Sequence, residues 1–388
     1  MLAIMARSNK NPSFRGTESL ADDVARLSRL LTKERGGLPA AYLRDPDLRK
    51  AYLAYFLPPN LDKIGVPLLE LCLHPAKLLE QKLLQVLDLG SGPGTALLGI
   101  RQFFARNRIQ KRLECTAVDH VAENLKDAEV LFREQGGVAG VPAALTTVRS
   151  GIEAIAEHSG GPFDIVVLSN VLNELYFREE DGVRKRTELV GRILERLLAP
   201  DGSCIIIEPA LRETARDLLM VRDGLVDAGF TVYSPCLVQG HCPALVNPKD
   251  WCHEDRPWDP PEVIKEIDRR IGLRKDSLKF SYVVLRKDGR TLADACGPGS
   301  FRVVSEPLVS KGKRELYLCG WEGRRLATRL DKDAVPGNEP FARLSRGDIV
   351  RIEGMVIEEK RFKISKDSKV MPLSVFRKDD PPRPRHET

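Results

Sequence analysis

The stretch Val86-Leu-Asp-Leu-Gly-Ser-Gly-Pro-Gly-Thr95 decides the fold of this chain. Its apolar start predicts a buried strand, and its glycines predict a tight turn that opens a helix. Downstream of it, apolar segments alternate with helical segments, which indicates an α/β fold with a doubly wound, mostly parallel sheet. The predicted strands cover residues 84–89, 114–119, 145–149, 163–169, 203–208, 230–234 and 278–287, and predicted helices cover 96–107, 180–198, 210–228 and 262–272.

The rest of the chain divides by its local patterns. Before the glycine turn the chain is helical, and a helix near 47–57 should end at Pro58-Pro59 because proline cannot continue it. After residue 300, short strands and turns replace the alternation. We therefore expect an N-terminal helical region (1–80), a doubly wound domain (81–290) with a cysteine-rich insertion (235–262), a small β module resembling a partly open barrel (291–360) and a basic tail (361–388).

Composition and charge narrow the class of protein. The 388 residues are 42% hydrophobic and 30% charged, as in an ordinary folded protein. No apolar run approaches the roughly 18 residues that span a bilayer, and the first residues do not resemble a signal peptide, so we expect a cytoplasmic protein without a membrane. The net charge of +6 permits a polyanionic partner. The basic tail is either a solvated segment or an arm on nucleic-acid phosphate.

The glycine turn is a candidate cofactor site. Glycines let the backbone approach a ligand closely and adopt positive φ angles. A glycine pattern by itself is weak evidence, but an acid two residues before the first glycine is more typical of S-adenosylmethionine enzymes than of dinucleotide enzymes. No Walker lysine follows, which argues against an NTPase. The candidate binding residues in the turn are Asp88, Gly90, Ser91, Gly92 and Gly94.

Two further strand ends contribute candidate residues. Asp119 ends the second strand, where a carboxylate can accept hydrogen bonds from both ribose hydroxyls, as it also does in dehydrogenases. Asn170 follows the fourth strand, at the edge where open α/β sheets bind ligands, and could face the methionine part of the cofactor or a substrate. It is the one candidate catalytic residue. Asn173 and Glu174 more plausibly cap or orient the next helix.

The cysteine-rich insertion predicts a metal site. Cys236, Cys242 and Cys252 lie within seventeen residues, and clustered thiols in a reducing compartment are more often metal ligands than disulfides. Their spacing fits neither a zinc ribbon nor a bacterial ferredoxin, so zinc and iron–sulfur both stay open. The fourth ligand is also open: Cys319 would clip the β module to the core, Cys296 is its rival, and for zinc His241 or His253 could substitute.

Taken together, these segments resemble one family, the ribosomal small-subunit assembly methyltransferase-like proteins of mitochondria and their bacterial relatives. The resemblance spans about residues 45 to 355. The glycine turn is shared by many methyltransferases, whereas the cysteine pattern is more specific. The pieces that carry the resemblance are Ala51-Tyr-Leu-Ala-Tyr-Phe-Leu-Pro-Pro-Asn60, the glycine turn, Ser169-Asn-Val-Leu-Asn-Glu-Leu175, Glu208-Pro209, Cys242-Pro243, Asp250-Trp-Cys-His253, Phe280-Ser-Tyr282 and Leu316-Tyr-Leu-Cys-Gly320.

The resemblance implies a class I methyltransferase fold with a seven-stranded sheet, S-adenosylmethionine binding, a [4Fe–4S] cluster and association with small-subunit ribosomal RNA. It also implies a mitochondrial location in eukaryotic relatives and a cytoplasmic one in bacteria, and we expect a monomer. The acid that many such enzymes carry after the third strand is missing here. Asp88, Gly90, Gly92 and Asp119 match the family's cofactor positions, and Cys236, Cys242, Cys252 and Cys319 match its cluster positions.

Two functions remain open at this stage. One is methyl transfer to ribosomal RNA, in which the protein chiefly positions the reactants. However, the fourth strand is not followed by the Asn-Pro-Pro-Tyr or Asp-Pro-Pro-Tyr that grips an exocyclic amine, nor by a Pro-Cys nucleophile. The other is a catalytically silent assembly factor that holds immature ribosomal RNA. The fold by itself does not distinguish them. Two further alternatives are a zinc-containing methyltransferase of another substrate and a redox or iron-sensing switch, which would need an exposed, labile cluster.

Overall fold

The computed structural model describes residues 14–39, 41–73, 81–157, 161–359 and 361–374, and they form two mixed sheets with helices. None of the helices within these ranges is long and apolar enough to cross a membrane. The strands of the first sheet are β1 (Leu83–Leu89), β2 (Arg112–Asp119), β3 (Ala143–Arg149), β4 (Phe163–Ser169), β5 (Leu198–Pro209), β6 (Thr231–Ser234), β7 (Glu254–Pro257) and β8 (Ser277–Arg286).

The strand order of the first sheet is β3-β2-β1-β4-β5-β8-β6. The five strands from β3 to β5 are parallel, and β8 inserts antiparallel between β5 and β6. The order reverses direction next to β1, so the carboxyl ends of β1, β2 and β4 meet at one edge, where open α/β sheets bind ligands. This is the class I methyltransferase fold, and the predicted fold class is confirmed.

The cysteine-rich insertion adds a strand that the sequence did not predict. β7 pairs antiparallel with β8, with Glu254 opposite Phe280 and Pro257 opposite Ser277. Four residues of mixed charge carry no strand periodicity, and β7 exists because the edge of β8 is available to pair with it. The pairing fixes the insertion to the first sheet directly after Cys252.

The helices pack on both faces of the first sheet or precede it. Between the strands, their apolar sides cover the two core clusters that flank the sheet. The helices are α1 (Phe14–Thr32), α2 (Pro46–Ala51), α3 (Leu57–Lys63), α4 (Gly65–Leu71), α5 (Thr95–Arg106), α6 (Ala122–Ala139), α7 (Ile152–Glu157), α8 (Gly182–Arg196), α9 (Arg212–Asp227), α10 (Glu262–Ile271) and α11 (Leu292–Cys296).

The expected helix end at Pro58-Pro59 is wrong. The chain makes one wide helical turn at Tyr52–Phe56, and α3 then continues to Lys63 with both prolines in its first turn. Proline is tolerated in a first turn, where the missing N–H would have no helical partner. The wide turn supplies this new start, because it interrupts the hydrogen-bond ladder just before the prolines.

The second sheet forms the C-terminal part of the chain around its own apolar core, which includes Phe301, Leu318, Phe341 and Phe362. Its order is β14-β15-β12-β11-β9-β13-β16, and β10 also pairs with β11. The strands are β9 (Ser300–Val303), β10 (Leu308–Ser310), β11 (Lys313–Gly320), β12 (Gly323–Leu330), β13 (Ile349–Glu353), β14 (Val356–Ile357), β15 (Arg361–Ile364) and β16 (Lys369–Ser374).

The basic tail expected from residue 361 needs a correction. Residues 361–364 and 369–374 are β15 and β16, and Phe362 and Ile364 are fully buried in the core of the second sheet. The lysines and arginines alternate with these apolar residues, and a count of charge hides that period of two. The second sheet therefore extends past the expected boundary at 360, and residues 375–388 of the expected tail lie outside the described residues.

A buried polar network joins the helical region to both sheets. Arg302 of β9 forms an ion pair of 2.5 Å with Glu70 of α4, and Tyr282 of β8 donates a hydrogen bond of 2.5 Å to the same carboxylate. Arg302 also donates to the carbonyls of Pro235 and Gly347. Buried charges persist in proteins only when they are paired and hydrogen-bonded. The network thus fixes the second sheet against the first, beside the cysteine-rich insertion.

Candidate functional site

The glycine turn has the geometry that its sequence predicts. Gly90, Gly92 and Gly94 have φ angles of 71°, 53° and 77°. A Cβ on Gly90 would lie 2.5 Å from Cγ2 of Val171, and one on Gly94 would lie 3.1 Å from the Cβ of Ala128. Gly90 and Gly94 are therefore required for packing as well as for backbone conformation. A Cβ on Gly92 would face open space, which is the side from which a ligand could approach.

Asp88 lies at the end of β1 with its carboxyl group buried. Its side chain is 1% exposed, and neither of its oxygens accepts a hydrogen bond of good geometry from the described residues, although the backbone N–H of Leu97 is near enough to lower its pKa. Burial raises its pKa to about 8, with a further contribution from the nearby charge of Asp119. Unpaired buried carboxylates are costly, so native structures rarely keep them without a function. A ligand that donates a hydrogen bond at this position would satisfy Asp88.

Asp119 closes the site from the end of β2. One carboxylate oxygen accepts the N–H of Gly92 at 2.9 Å, and the other accepts the N–H of Val121 at 2.8 Å and the amide of Asn124 at 3.2 Å. These bonds hold the carboxylate across the glycine turn. Each oxygen has two lone pairs, so the Gly92-bonded oxygen keeps capacity to accept a ligand hydroxyl.

Asn170 lies where β4 ends, in a left-handed conformation with a φ of 56°. Its N–H donates to the carbonyl of Ile207 at 2.7 Å, and its side-chain amide donates to Ser169 at 3.3 Å. Non-glycine residues with positive φ are uncommon and concentrate at functional sites, although asparagine tolerates this conformation best. The structure places Asn170 on the same sheet edge as the glycine turn.

Glu208 orients the segment that follows Asn170. Its buried carboxylate accepts the N–H groups of Leu172 at 3.0 Å and Asn173 at 3.2 Å, and burial raises its pKa to about 8. The sequence contained this residue only as part of the family resemblance. Its role was not predictable because residues 172 and 208 meet only when β4 and β5 pair.

The N-terminal region supplies residues that sequence reasoning missed. Arg35 donates to the backbone carbonyl of Asn173 at 3.3 Å and also to its side-chain oxygen, while its guanidinium lies 5.1 Å from the ring centre of Phe177. Burial raises the pKa of Tyr52, and the charges of Glu174 and Asp88 contribute to the same shift. The helical region thus reaches the edge of the glycine turn. No local motif marks such a contact, since 138 residues separate Arg35 from Asn173.

The second candidate site is a cavity between the insertion and the second sheet. Cys236, Cys242, Cys252 and Cys319 all line it. It encloses about 40 Å³, more than the roughly 10–15 Å³ that one water needs. Voids of this size are few in a domain. Three of the thiols come from the insertion and the fourth comes from β11, so the cavity exists only because the two sheets pack together.

The structure distinguishes the two candidates for the fourth thiol position. Cys296 is buried at the end of α11 in the main core and does not line the cavity, whereas Cys319 does. Among the histidines proposed as substitutes, His253 lines the cavity, and exposed His241 instead pairs with Asp227 at 2.8 Å.

Neighbouring side chains hold the insertion in place. Asp223 of α9 accepts the N–H of Cys242 at 3.0 and 3.1 Å, and Ser281 of β8 donates to the carbonyl of Cys252 at 2.9 Å. Arg216 donates to four carbonyl groups in the loop between these two cysteines, those of Ala244, Leu245, Asn247 and Asp250. The positions of Cys242 and Cys252 are therefore fixed by α9 and β8, independently of any bound group.

Cationic side chains surround the four thiols. Arg222, Arg302 and Arg324 line the cavity, and Arg324 forms an ion pair of 2.7 Å with Asp250. Burial raises the pKa of Cys252 to about 11 and that of Cys319 to about 12, and the nearby thiols contribute in the same direction. Each of these guanidinium groups also pairs with a carboxylate, that of Asp223, Glu70 or Asp250, so their positive charge is largely compensated.

The four thiols line one cavity without forming a metal site as they stand. Within the described part of the chain, no three His, Cys, Asp or Glu side chains are close enough to hold a single metal ion. Four thiolates are the ligands of a [4Fe–4S] cluster and also of some structural zinc sites. Both groups therefore stay open at this cavity.

Comparison with known proteins gives the family of the chain. The model of the family described as mitochondrial small ribosomal subunit Rsm22 matches residues 50–335, well over half of the sequence. The chain belongs to the Rsm22 family. The matched range includes the glycine turn, Asn170, the cysteine-rich insertion and β11 with Cys319. No curated protein sequence matches the chain.

Solved structures similar to this Rsm22 family member are methyltransferases. An O-methyltransferase family protein from Burkholderia thailandensis has 16% identity, with 72% of this chain and 74% of that chain covered, at a TM-score of 0.35. An rRNA methylase from Streptococcus thermophilus has 15% identity, with 54% and 91% covered, at 0.27. An arsenic(III) S-adenosylmethionine methyltransferase from Chlamydomonas reinhardtii has 16% identity, with 65% and 79% covered, at 0.30. At these TM-scores the likenesses add nothing to what the strand order shows.

Proposed function

We propose that this protein binds S-adenosylmethionine at the glycine turn, holds a [4Fe–4S] cluster at the four cysteines, and acts on or assembles the small ribosomal subunit with ribosomal RNA as substrate or partner. The observation that carries the proposal is the convergence of Cys236, Cys242, Cys252 and Cys319 on one cavity in a member of the Rsm22 family. The family description supports the small subunit as the partner.

The residues at the glycine turn fit S-adenosylmethionine. When bound, this cofactor supplies an electrophilic methyl group. The chain contributes the open face at Gly92, the carboxylate of Asp119 beside it, and the unpaired carboxyl of Asp88. Asn170 stays the one candidate for a catalytic role, since it lies at the adjoining strand end.

Cofactor binding is tested by calorimetric titration of S-adenosylmethionine into Asp88→Asn protein. We expect at least a tenfold weaker affinity, because the amide cannot ionise when the ligand binds and keeps only one of the two acceptor oxygens. The matched control is Asp164→Asn. Asp164 lies at the start of β4, at the edge of the sheet away from the glycine turn, and among the described residues it accepts the N–H of Gln85 at 2.8 Å. If the two variants and the wild type have equal affinities, S-adenosylmethionine does not bind next to Asp88.

The cluster is tested by iron, sulfide and zinc analysis of anaerobically purified protein. About four irons per chain and a broad absorption band near 400 nm are expected for a [4Fe–4S] cluster. Cys319→Ser should lose this band, whereas Cys296→Ser should keep it, because only Cys319 lines the cavity. A colourless protein with one zinc would refute the cluster and leave the zinc alternative.

A catalytically silent assembly factor is the second candidate function, and the segment after β4 favours it. The side chain of Asn173 is engaged by Arg35, its N–H by Glu208, and the amide of Asn170 by Ser169. These residues are thus held in structural bonds. Incubation of small subunits with S-adenosylmethionine labelled in the methyl group decides between the candidates: labelled ribosomal RNA indicates an enzyme, and bound cofactor without labelled RNA indicates the silent factor.

The location of the protein follows from the same proposal. Rsm22 is a mitochondrial ribosomal family, which supports a mitochondrial location for eukaryotic relatives. A cytoplasmic location in a bacterium and a monomeric state stay predictions for this chain.

A further inference from the structure

The second sheet has an outer face opposite its apolar core. Along β11, Leu316 and Leu318 are fully buried, and the residues that alternate with them face away from that core. We define the outer face as these alternating side chains of β10, β11, β12, β15 and β14. It comprises Leu308, Lys313, Glu315, Tyr317, Cys319, Arg324, Leu326, Thr328, Val356, Arg361 and Lys363. Cys319 and Arg324 line the cysteine cavity and Thr328 is buried, so the part of the face that is open to a partner is formed by the other residues.

The register of the strands arranges this face in rows. Tyr317 lies opposite Leu326, which lies opposite Arg361. In the next row, Thr328 lies between Glu315 and Lys363, and its hydroxyl donates to the Glu315 carboxylate at 2.9 Å. Residues directly opposite each other in a sheet share one face, so apolar or aromatic and cationic side chains stand side by side here.

An exposed tryptophan extends the outer face at one end. Trp321 lies in the two-residue turn between β11 and β12 and is 67% exposed. Tyr317 is 37% exposed and Leu308 is 48% exposed. The guanidinium of Arg324 lies 5.4 Å from the ring centre of Tyr317. Single exposed apolar residues are common on protein surfaces, but a group of them on one face is typical of an interaction site.

The charge of the chain is concentrated in the same sheet. Residues 300–374 contain 16 lysines and arginines and 11 aspartates and glutamates, which gives +5 of the total charge of +6. A basic sheet with exposed aromatic rings is the usual surface for single-stranded nucleic acid, since bases stack on the rings and cations contact phosphates. A protein-docking face would instead have a contiguous apolar centre with few charges.

We propose that the outer face of the second sheet binds single-stranded RNA, with Trp321 and Tyr317 stacking on bases and Arg361 and Lys363 contacting phosphates. This inference rests on the proposed function, because it takes ribosomal RNA as the partner. Cys319 lies on the same face two residues from both aromatic residues. The RNA would therefore run past the edge of the cysteine cavity.

The test is fluorescence anisotropy of a fluorescein-labelled, single-stranded RNA of about twenty nucleotides with the full chain purified anaerobically. Trp321→Ala should weaken binding about tenfold, because stacking on an aromatic ring contributes about 1–3 kcal/mol per base. Trp321→Phe keeps a ring and should recover most of the affinity. The tryptophan fluorescence of the wild type should fall on RNA binding, and this change should be absent in Trp321→Ala.

Salt dependence separates stacking from phosphate contact. Arg361→Ala should make the slope of log affinity against log salt shallower by about 0.7, the value for one phosphate contact in a single strand. Trp321→Ala should leave the slope unchanged. The matched control is Arg274→Ala, because Arg274 is also an exposed arginine paired with a carboxylate, but it lies on the first domain after α10. This control should change neither affinity nor slope.

The outcomes distinguish the inference from the function it rests on. If the wild type binds RNA and small subunits, and the Trp321 and Arg361 variants bind equally well, the outer face is not the RNA surface while the proposed partner stands. If these variants lose small subunits but bind free RNA normally, the face docks a ribosomal protein and the inference is overturned. If the wild type binds neither RNA nor small subunits, the proposed function itself fails.

Discussion

At the scale of single residues, the surroundings of the Asp88 carboxyl group do little to stabilise its ionised form. It is buried, it accepts no hydrogen bond of good geometry from the described residues beyond the approach of the Leu97 backbone N–H, and burial raises its pKa to about 8. Glu208 has a similarly raised pKa but accepts two backbone N–H groups. The contrast separates a carboxylate that holds the fold together from one that is available to a ligand.

This pKa makes stability depend on pH. Without cofactor, the folded protein binds the Asp88 proton more tightly than the unfolded chain does, so the free energy of unfolding should fall as pH rises from about 4 to about 8. Asp88→Asn removes the titrating group and should make this fall smaller, by up to about 1.4 kcal/mol for each unit of pKa shift. Urea unfolding at pH 5 and pH 8 measures the difference.

The control for this prediction is Glu266→Gln on α10. The pKa of Glu266 is lowered by its hydrogen bond to Arg270, so its stabilising contribution is lost only below its ordinary pKa. The change in stability between pH 5 and pH 8 should therefore equal that of the wild type. An Asp88→Asn protein with the wild-type change would show that Asp88 is ionised in the folded state.

Gly90 is the glycine whose replacement should cost most in the turn. Gly90→Ala combines a φ of 71° with a Cβ only 2.5 Å from Val171. Gly272→Ala, at a φ of 68° with no neighbour within 4 Å, has only the backbone cost of about 1–2 kcal/mol. Urea unfolding should show a larger loss for Gly90→Ala. Equal losses would mean that Val171 moves aside freely.

At the scale of elements, two segments take their structure from their neighbours. β7 forms because β8 presents an edge, and the prolines of α3 are accepted because a wide turn restarts the helix before them. β11 has the most consequential position. It carries Leu316 and Leu318 into the core of the second sheet and Cys319 into the cavity on the opposite side.

The assignment of residues 361–364 to a strand gives a sharp mutational test. Phe362→Ala should destabilise the protein by about 3–5 kcal/mol, since a fully buried aromatic side chain leaves a cavity when it is truncated. Lys363→Ala, one residue further on the outer face, should change stability by less than about 0.5 kcal/mol. Thermal and urea unfolding measure both. A solvated tail would give two equally small effects.

At the scale of the whole molecule, the network around Glu70 and Arg302 decides how the parts sit together. Glu70 comes from the helical region, Tyr282 from the first sheet and Arg302 from the second, and all three side chains are buried. Arg302 also donates to the carbonyl next to Cys236. The packing that brings Cys319 to the insertion therefore depends on a charged cluster adjacent to the cavity.

Breaking this network should be costly. Arg302→Met leaves Glu70 as a buried, unpaired charge and should lower the free energy of unfolding by about 3–5 kcal/mol. Adding Glu70→Leu should recover part of the loss, because it removes that charge. The matched control is Arg184→Ala, which breaks exposed pairs with Asp181 and Glu188 and should leave the free energy of unfolding nearly unchanged. Similar losses for Arg302→Met and Arg184→Ala would contradict a structural role for the network.

The sequence by itself determined the order of strands and helices in the first sheet apart from β7, the glycine turn, and the cysteines that are candidate ligands. These features are local, because strand periodicity, glycine at positive φ and thiol spacing leave marks within a few residues of each other. β4, for example, begins and ends at the residues that its apolar run predicts. Two predictions were wrong for a related reason. The basic tail was predicted from the count of charges, which hides the alternation of apolar and charged residues in β15. The helix end at Pro58-Pro59 was predicted without the wide turn that precedes these prolines.

Only the tertiary structure decided which distant residues meet. It placed Cys319 rather than Cys296 in the cavity and brought Arg35 to Asn173. It also joined Glu208 to the turn after β4 and aligned aromatic and cationic residues of neighbouring strands on one outer face. Each of these contacts joins segments that are far apart in sequence. Such contacts depend on how sheets and helices pack, and packing leaves no local trace in the chain.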